Sequence, residues 1–335
     1  MTQTLFEILT SILPVFVFLG FLLLFDSFKL VKWRNVIFTI IIGSFVALIC
    51  YLINLALMQK LDLPFFYYTR YIAPPIEETA KAVYIIYLLQ RKKIGFMVDG
   101  AIYGFAIGAG FAFIENIYFL HSLEQKQVIV WIIRGLGTAV MHGGTTALFS
   151  IIAKNFQDRF NQTSLLYILP GLLAAILLHS FFNHFFFRPL IMTLGQLVVL
   201  PLVVTIVYIR SEKHLRGWLE VGLDTDVTIL EYITSGRLSE TKIGTYLQSI
   251  MNQFPGEIMA DMLCYLRIYL ELSICAKGAL LMQESGFKIP KDREMEDKII
   301  ELNFLERSIG QTGKRAIAPL VQKSARDMWQ LYLLS

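Results

Sequence analysis

Charge is scarce in this chain and unevenly placed, and cysteine is nearly absent. Asp, Glu, Lys and Arg together make up 17% of the 335 residues, while hydrophobic side chains make up 56%. A chain that apolar has too little polar surface for a soluble globule. The three cysteines, Cys50, Cys264 and Cys275, stand far apart without CxxC spacing. That excludes a disulfide framework and a thiolate metal centre, and leaves core packing as the expected use of each. A basic leader segment is also missing, and Glu7 stands just ahead of the first long apolar run, so no cleavable signal is expected. GxSxG, HExxH and GxGD are absent as well, which disfavours a serine-hydrolase elbow and the familiar zinc and aspartyl membrane proteases.

Long apolar runs are what the chain does have. A spanning helix needs about 20 mostly apolar residues, and seven stretches reach that length: about 5–26, 36–57, 66–89, 98–120, 128–152, 165–187 and 190–209. Residues 1–209 carry 14 Lys+Arg and 9 Asp+Glu, against 16 and 17 in the shorter stretch 210–335. The composition thus breaks near Arg210. We expect an all-α protein: a polytopic bundle of about seven transmembrane helices over residues 1–209, followed by a helical domain over 210–335. The segments between spans alternate in charge. Lys29, Lys32, Arg34, Arg91, Lys92, Lys93, Lys154, Arg159, Arg210, Lys213 and Arg216 fall on one side, and only Lys60, Arg70, Lys126 and Arg188 on the other. The positive-inside rule then sets a multi-pass protein of the cell membrane with its N-terminus outside and residues 210–335 in the cytoplasm. The net charge of +4 implies no nucleic-acid partner, because the basic residues of the apolar part sit mostly in loops. In the tail, Met259, Leu263, Leu266 and Leu270 recur at helical spacing. Pro255-Gly256 marks a helix start and Gly310 a stop. Four or five helices without a chemical motif are expected there.

Ionisable groups inside spans are costly and usually face the bundle interior or a watery cavity. Here they cluster. The third span reads Pro74-Pro75-Ile76-Glu77-Glu78-Thr79-Ala80-Lys81; the fourth carries Asp99 and then Glu115-Asn116; the fifth carries Arg134 and His142; the sixth carries His179 and Asn183. Glu77 and Lys81 stand at i, i+4 and are expected to pair as ions, which leaves Glu78 freer. His179 and Asn183 share one face, and Arg134, Thr138 and His142 form an i, i+4, i+8 stripe. Gly100, Gly104, Gly108, Ala112 and Asn116 recur every four residues, a small-residue stripe that lets a neighbouring helix approach closely. Counted from the outer ends of the spans, Glu78 and His142 lie about halfway in, and Glu115, His179 and Asn183 lie in the outer half. Spans one, two and seven are expected to be scaffold.

Peptide hydrolysis needs a base to activate water and donors to hold the developing oxyanion. Glu78 or Glu77 is the candidate base, His142 shares the water, and His179 with Asn183, one turn apart, are candidate oxyanion donors. The ordered set Pro75-x-Glu77-Glu78-x-x-Lys81, Gly110-Phe111-Ala112-x-x-Glu115-Asn116-x-Tyr118, His142 and His179-x-x-x-Asn183 resembles the PrsW-type intramembrane proteases, relatives of the CAAX-protease and bacteriocin-immunity group. The resemblance covers roughly residues 65–187. It implies a glutamate-dependent intramembrane endopeptidase and, in bacteria, a site-one cut of a membrane-anchored anti-sigma factor; the depth count puts the cut in or near the outer half of a single-pass membrane protein. The resemblance also implies that the paired glutamates and His142 activate water while His179 and Asn183 bind the oxyanion. No cofactor is required by that chemistry. Zinc is the alternative, with Glu78, Glu115, His142 and His179 as ligands. Buried Glu, Lys and His also suit a proton-coupled transporter, although no duplicated half is visible. The same residues also suit a zinc-dependent membrane hydrolase acting on lipid, or a non-catalytic immunity protein that keeps them as internal struts.

Overall fold

In the computed structural model of the protein, the described residues are 2–24, 26, 31–122, 127–160, 164–285, 287 and 293–321. Lys29 and Lys126, counted above in the loop charges, lie outside them. All regular structure among the described residues is helical, and the chain divides into two compact units, Met1–Ser211 and Glu212–Ser335.

The first unit contains α1 (Thr2–Leu24), α2 (Trp33–Leu61), α3 (residues 65–90), α4 (Met97–Ser122), α5 (Val128–Phe160), α6 (Leu165–His184) and the first half of α7 (Pro189–Thr234). All of these except α3 are long and apolar enough to cross a membrane. The protein is a multi-pass helical membrane protein. The helix α3, expected as a seventh span, is continuous and at about 1.5 Å per residue is long enough. Its apolarity is broken by Arg70, Glu77, Glu78 and Lys81, so the charged groups are concentrated on the one helix that does not read as an ordinary span.

Helices in lipid gain little from the hydrophobic effect against one another; they hold by close packing and polar contacts. The centre of this unit is α4, packed against α1, α2 and α5, and every residue from Asp99 to Ala112 is buried. Its glycines set the distances. A Cβ on Gly108 would overlap the His142 carbonyl oxygen, and one on Gly104 would lie 2.6 Å from that of Thr146. The small-residue stripe therefore brings the α4 backbone against the α5 backbone. On another face of α4, a Cβ on Gly110 would overlap the Ile40 carbonyl oxygen of α2. The Asp99 carboxylate closes the start of α4 by accepting from the backbone N–H of Gly95 and Phe96, both at 2.9 Å.

Two turns in this unit are π-helical rather than α-helical: Tyr68–Ile72 in α3 and Ile133–Thr138 in α5. Such wide turns loosen the backbone ladder and often mark functional sites. In α5 the carbonyls of Leu136 and Gly137 accept from Gln196 Nε2 of α7, at 2.8 and 2.5 Å.

The second unit contains the rest of α7, α8 (Lys242–Ile250), α9 (Gly256–Glu284), α10 (Arg293–Ser308) and α11 (Gly310–Ile317). Its core is formed by Leu247, Met262, Tyr265, Leu266, Leu302 and Ile317. Gly256 opens α9 as its sequence suggests. Met259, Leu266 and Leu270 are buried, but Leu263 is exposed. Inside this unit Lys277 and Ser273 both donate to Asp226 Oδ2, at 2.7 and 2.6 Å. Cysteine burial differs from expectation: Cys50 is buried, whereas Cys264 is exposed and Cys275 only partly covered.

Gly108→Ala is expected to lower the thermal midpoint of the purified protein in detergent by the equivalent of about 1–3 kcal/mol. Gly195→Ala, where an added Cβ meets none of the described residues within 4 Å, is the control and is expected to leave the midpoint within error.

Candidate active site

The Glu78 side chain sits on α3 facing α5 and α6 and is 1% exposed. Its Oε1 accepts from Lys81 Nζ at 2.6 Å, His179 Nδ1 at 2.7 Å and Thr145 Oγ1 at 3.2 Å. A carboxylate in such surroundings is tolerated because it is paired and multiply hydrogen-bonded. Its second oxygen, Oε2, is buried without a hydrogen-bond partner among the described residues. The ion pair is therefore Glu78 with Lys81, at i, i+3, and not Glu77 with Lys81. The physical reason is that α5 and α6 cover the Glu78 side of α3 and bury Lys81 completely. Glu77 turns instead toward α2, where Asn54 Nδ2 donates to its Oε1 at 3.1 Å and Asn54 Oδ1 accepts from Tyr68 at 2.8 Å. Its Oε2 lies 3.9 Å from His179 Nε2, and its side chain is 14% exposed.

His142 is reached from two sides. Its Nε2 donates to Glu115 Oε2 at 2.8 Å, and its Nδ1 meets Lys81 Nζ at 3.3 Å. Lysine is only a donor and carboxylate only an acceptor, so these partners specify the Nε2–H tautomer. His179, by the same reasoning, carries its proton on Nδ1. The two imidazole rings meet edge to face at 4.8 Å, and Phe111 packs on His142 at 4.9 Å. Five of the six expected site residues, Glu77, Glu78, Glu115, His142 and His179, are thus linked by contacts.

Asn183 is the sixth, and its amide is engaged elsewhere. Pro74 and Pro75 have no N–H to donate back along α3. The carbonyls this leaves available are used by α6: Ser180 Oγ donates to Arg70 O at 2.5 Å, and Asn183 Nδ2 donates to Thr69 O at 2.9 Å. The Pro-Pro pair therefore provides the clip that docks α6 on α3, and the clip holds His179 beside Glu77 and Glu78.

Arg134 and Asn116, which the sequence set beside His142 and Glu115, also belong to this network, as do Asn54 and Tyr68, to which the sequence gave no role. Asn54 had one visible signal, a lone amide within an apolar run. α1, α2 and α7 are accordingly more than inert scaffold, since Ser11, Asn54 and Gln196 each make polar contacts toward α3, α4 or α5.

The residues present fit a metal ion. Glu77, His142 and His179 each offer one ligand atom, and all three atoms lie within 4.8 Å of one another. Each histidine is backed through one nitrogen by a carboxylate, Glu78 behind His179 and Glu115 behind His142, the arrangement that orients metal-ligating imidazoles; the nitrogen left on His142 is the one Lys81 Nζ meets at 3.3 Å, so an ion would take the place of that contact. This differs from the ligand set read from sequence: Glu77 joins the donors, whereas Glu78 and Glu115 stand behind the histidines.

Membrane-crossing helices here enclose paired glutamates and two histidines, a set of groups found in membrane-embedded hydrolases. Residues 31–209, more than half of the chain, match the family described as PrsW family intramembrane metalloprotease, and the protein belongs to that family. No curated protein and no solved structure matches the chain.

Glu78→Gln removes one partner of a buried pair and is expected to cost about 3–5 kcal/mol, read as a lower thermal midpoint in detergent. Glu78→Gln combined with Lys81→Met should recover most of that loss. If the single variant melts with the wild type, the pair does not hold α3 in place.

Proposed function

We propose that this protein is an intramembrane endopeptidase that hydrolyses a peptide bond of a single-pass membrane protein within the outer half of the bilayer, as in a site-one cut of an anti-sigma factor. The observation that carries the reading is the group of Glu77, Glu78, His142 and His179, all but Glu77 buried, brought by α3, α5 and α6 to one place. Family membership supports the reaction class. Water is activated by the glutamate pair. Glu78 Oε2 is a buried carboxylate oxygen with no hydrogen-bond partner among the described residues to displace, and Glu77 is the more accessible of the two. Glu78 Oε1 orients His179, Glu115 orients His142, and the Lys81 ammonium balances the negative charge. His179, whose Nδ1–H is given to Glu78, donates to the developing oxyanion only when Nε2 is protonated as well, and Asn183 offers the one amide hydrogen that Thr69 does not take.

A metal-dependent form of the same reaction is favoured by the donor geometry. Glu77, His142 and His179 would hold the ion, which when bound supplies Lewis acidity toward the scissile carbonyl. The metal content of the purified protein, with cleavage measured after chelation, separates the two forms.

The depth assignment draws on the aromatic residues around the ends of α3 and α6. Phe65, Phe66, Tyr67 and Tyr71 are exposed, as are Phe185, Phe186 and Phe187. Aromatic belts of this kind mark the membrane–water boundary. Glu78 follows Tyr71 by seven residues, about 10 Å along a helix, so the group lies roughly a third of the way through a ~30 Å hydrocarbon core. The loop charges support an outer position for that boundary and a cytoplasmic one for residues 210–335.

In proteoliposomes carrying a single-pass reporter, Glu77→Gln, His142→Ala and His179→Ala are each expected to lower the cleavage rate by about 100-fold or more. Wild-type rates in any of them would remove that residue from the reaction. Cleavage of the reporter within its cytoplasmic half would overturn the assigned side.

A further inference from the structure

We infer that Arg134 is a positioning residue, which through Glu115 fixes the tautomer and direction of His142 and is itself anchored to α1. The inference rests on the reading of His142 as part of the catalytic group. It comes from a chain of polar contacts that crosses three helices. Ser11 O of α1 accepts from Asn116 Nδ2 at 2.7 Å, and Asn116 Oδ1 accepts from Arg134 Nε at 2.9 Å. Arg134 Nη2 then lies 3.3 Å from Glu115 Oε1, and Glu115 Oε2 accepts from His142 Nε2 at 2.8 Å.

Each link supplies something the next one needs. The Glu115 side chain is 27% exposed, the least buried of the group, so burial alone does not hold it in one rotamer. Arg134 Nη2 stands beside one oxygen as an ion pair and His142 Nε2 bonds the other, so the carboxylate is held from both sides. Arg134 is in turn held by Asn116 and by the Phe119 ring, which lies 3.7 Å from its guanidinium carbon. A guanidinium suits this place because it donates through Nε to Asn116 while its charge sits beside Glu115 and its plane lies over an aromatic face.

The π-helical turn at Ile133–Thr138 makes the arrangement reachable. Arg134 lies inside it and His142 one turn beyond, and the wide turn resets the phase between them so that both meet the same carboxylate. Close approach of α1 is the last element. A Cβ on Gly135 would overlap the Thr10 carbonyl oxygen, so the α1 backbone touches α5 one residue after Arg134, next to the Ser11 carbonyl that receives Asn116. The first helix, outside the matched residues 31–209, thereby takes part in positioning His142.

The test uses the full-length protein in nanodiscs, labelled with nitrogen-15 at its five histidines, with His142→Ala to identify the resonances. The wild type is expected to show the neutral Nε2–H form at His142. Arg134→Gln is expected to lose that signature and to lower kcat on a single-pass reporter by about 10–100-fold with KM unchanged. Arg134→Lys, which keeps the charge beside Glu115 but not the Nε–H to Asn116, should restore both in part, and Asn116→Ala, which leaves the Arg134 charge in place, should give a smaller loss of the same kind. Thermal midpoints are recorded throughout. Unchanged His142 resonances in both Arg134→Gln and Asn116→Ala overturn the inference, as does an Arg134→Lys protein that melts like the wild type yet shows no more of the signature than Arg134→Gln. Wild-type cleavage by His142→Ala would instead remove the catalytic reading and leave the tautomer result standing, so the two failures are told apart.

Discussion

An ionised carboxylate inside a membrane unit must be paired or it destabilises the fold, and Glu78 is such a group, 2% exposed. Its single bonded oxygen collects Lys81 from its own helix, Thr145 from α5 and His179 from α6. Three helices are therefore held in register by one atom, and a shift of any of them leaves a buried charge without a partner. The rest of the unit serves this requirement. Gly104 and Gly108 let α5 come close enough to α4 for His142 to reach Glu115. The Pro74-Pro75 pair gives α6 the carbonyls it needs to dock. The site is thus both the most demanding part of the fold and the part that fixes its geometry.

The same contacts separate the roles of residues that look alike in sequence. Glu77 and Glu78 are neighbours, but one faces Asn54 and partial exposure while the other is enclosed. His142 and His179 are both backed by carboxylates, through opposite ring nitrogens. Lys81 touches Glu78 and His142 and lies over the Phe111 ring at 5.0 Å, so its charge is shared by groups that would otherwise repel or drift.

Much of this was legible in the sequence. Long apolar runs give the helices of the bundle, and the order of Glu77-Glu78, Glu115, His142 and His179 along successive helices marks the site. The helical tail follows from its spacing and its Pro255-Gly256 start. What was not legible depends on backbone geometry that side-chain spacing does not encode. The i, i+4 rule pairs Lys81 with Glu77, but the cover supplied by α5 and α6 makes Glu78 its partner. The regular stripe Arg134, Thr138, His142 assumes 3.6 residues per turn, and the π-helical turn at Ile133–Thr138 breaks that count. Asn183 reads as a reactive amide until the missing N–H groups of two prolines explain why a donor is needed at Thr69. The third helix reads as a span by length, and only its charge content sets it apart from the other six.

The glycines of α4 bear on how this protein can change over generations. Where two backbones touch, the position has one permitted occupant, and no neighbouring side chain can shrink to compensate because the neighbour is the main chain itself. Gly104, Gly108 and Gly110 therefore offer evolution almost no neutral paths, although none of them touches a reacting group. An invariant column at these positions would record a distance between helices rather than a step of chemistry. Drift is thus tightly restrained along the very part of α4 that carries no site residue.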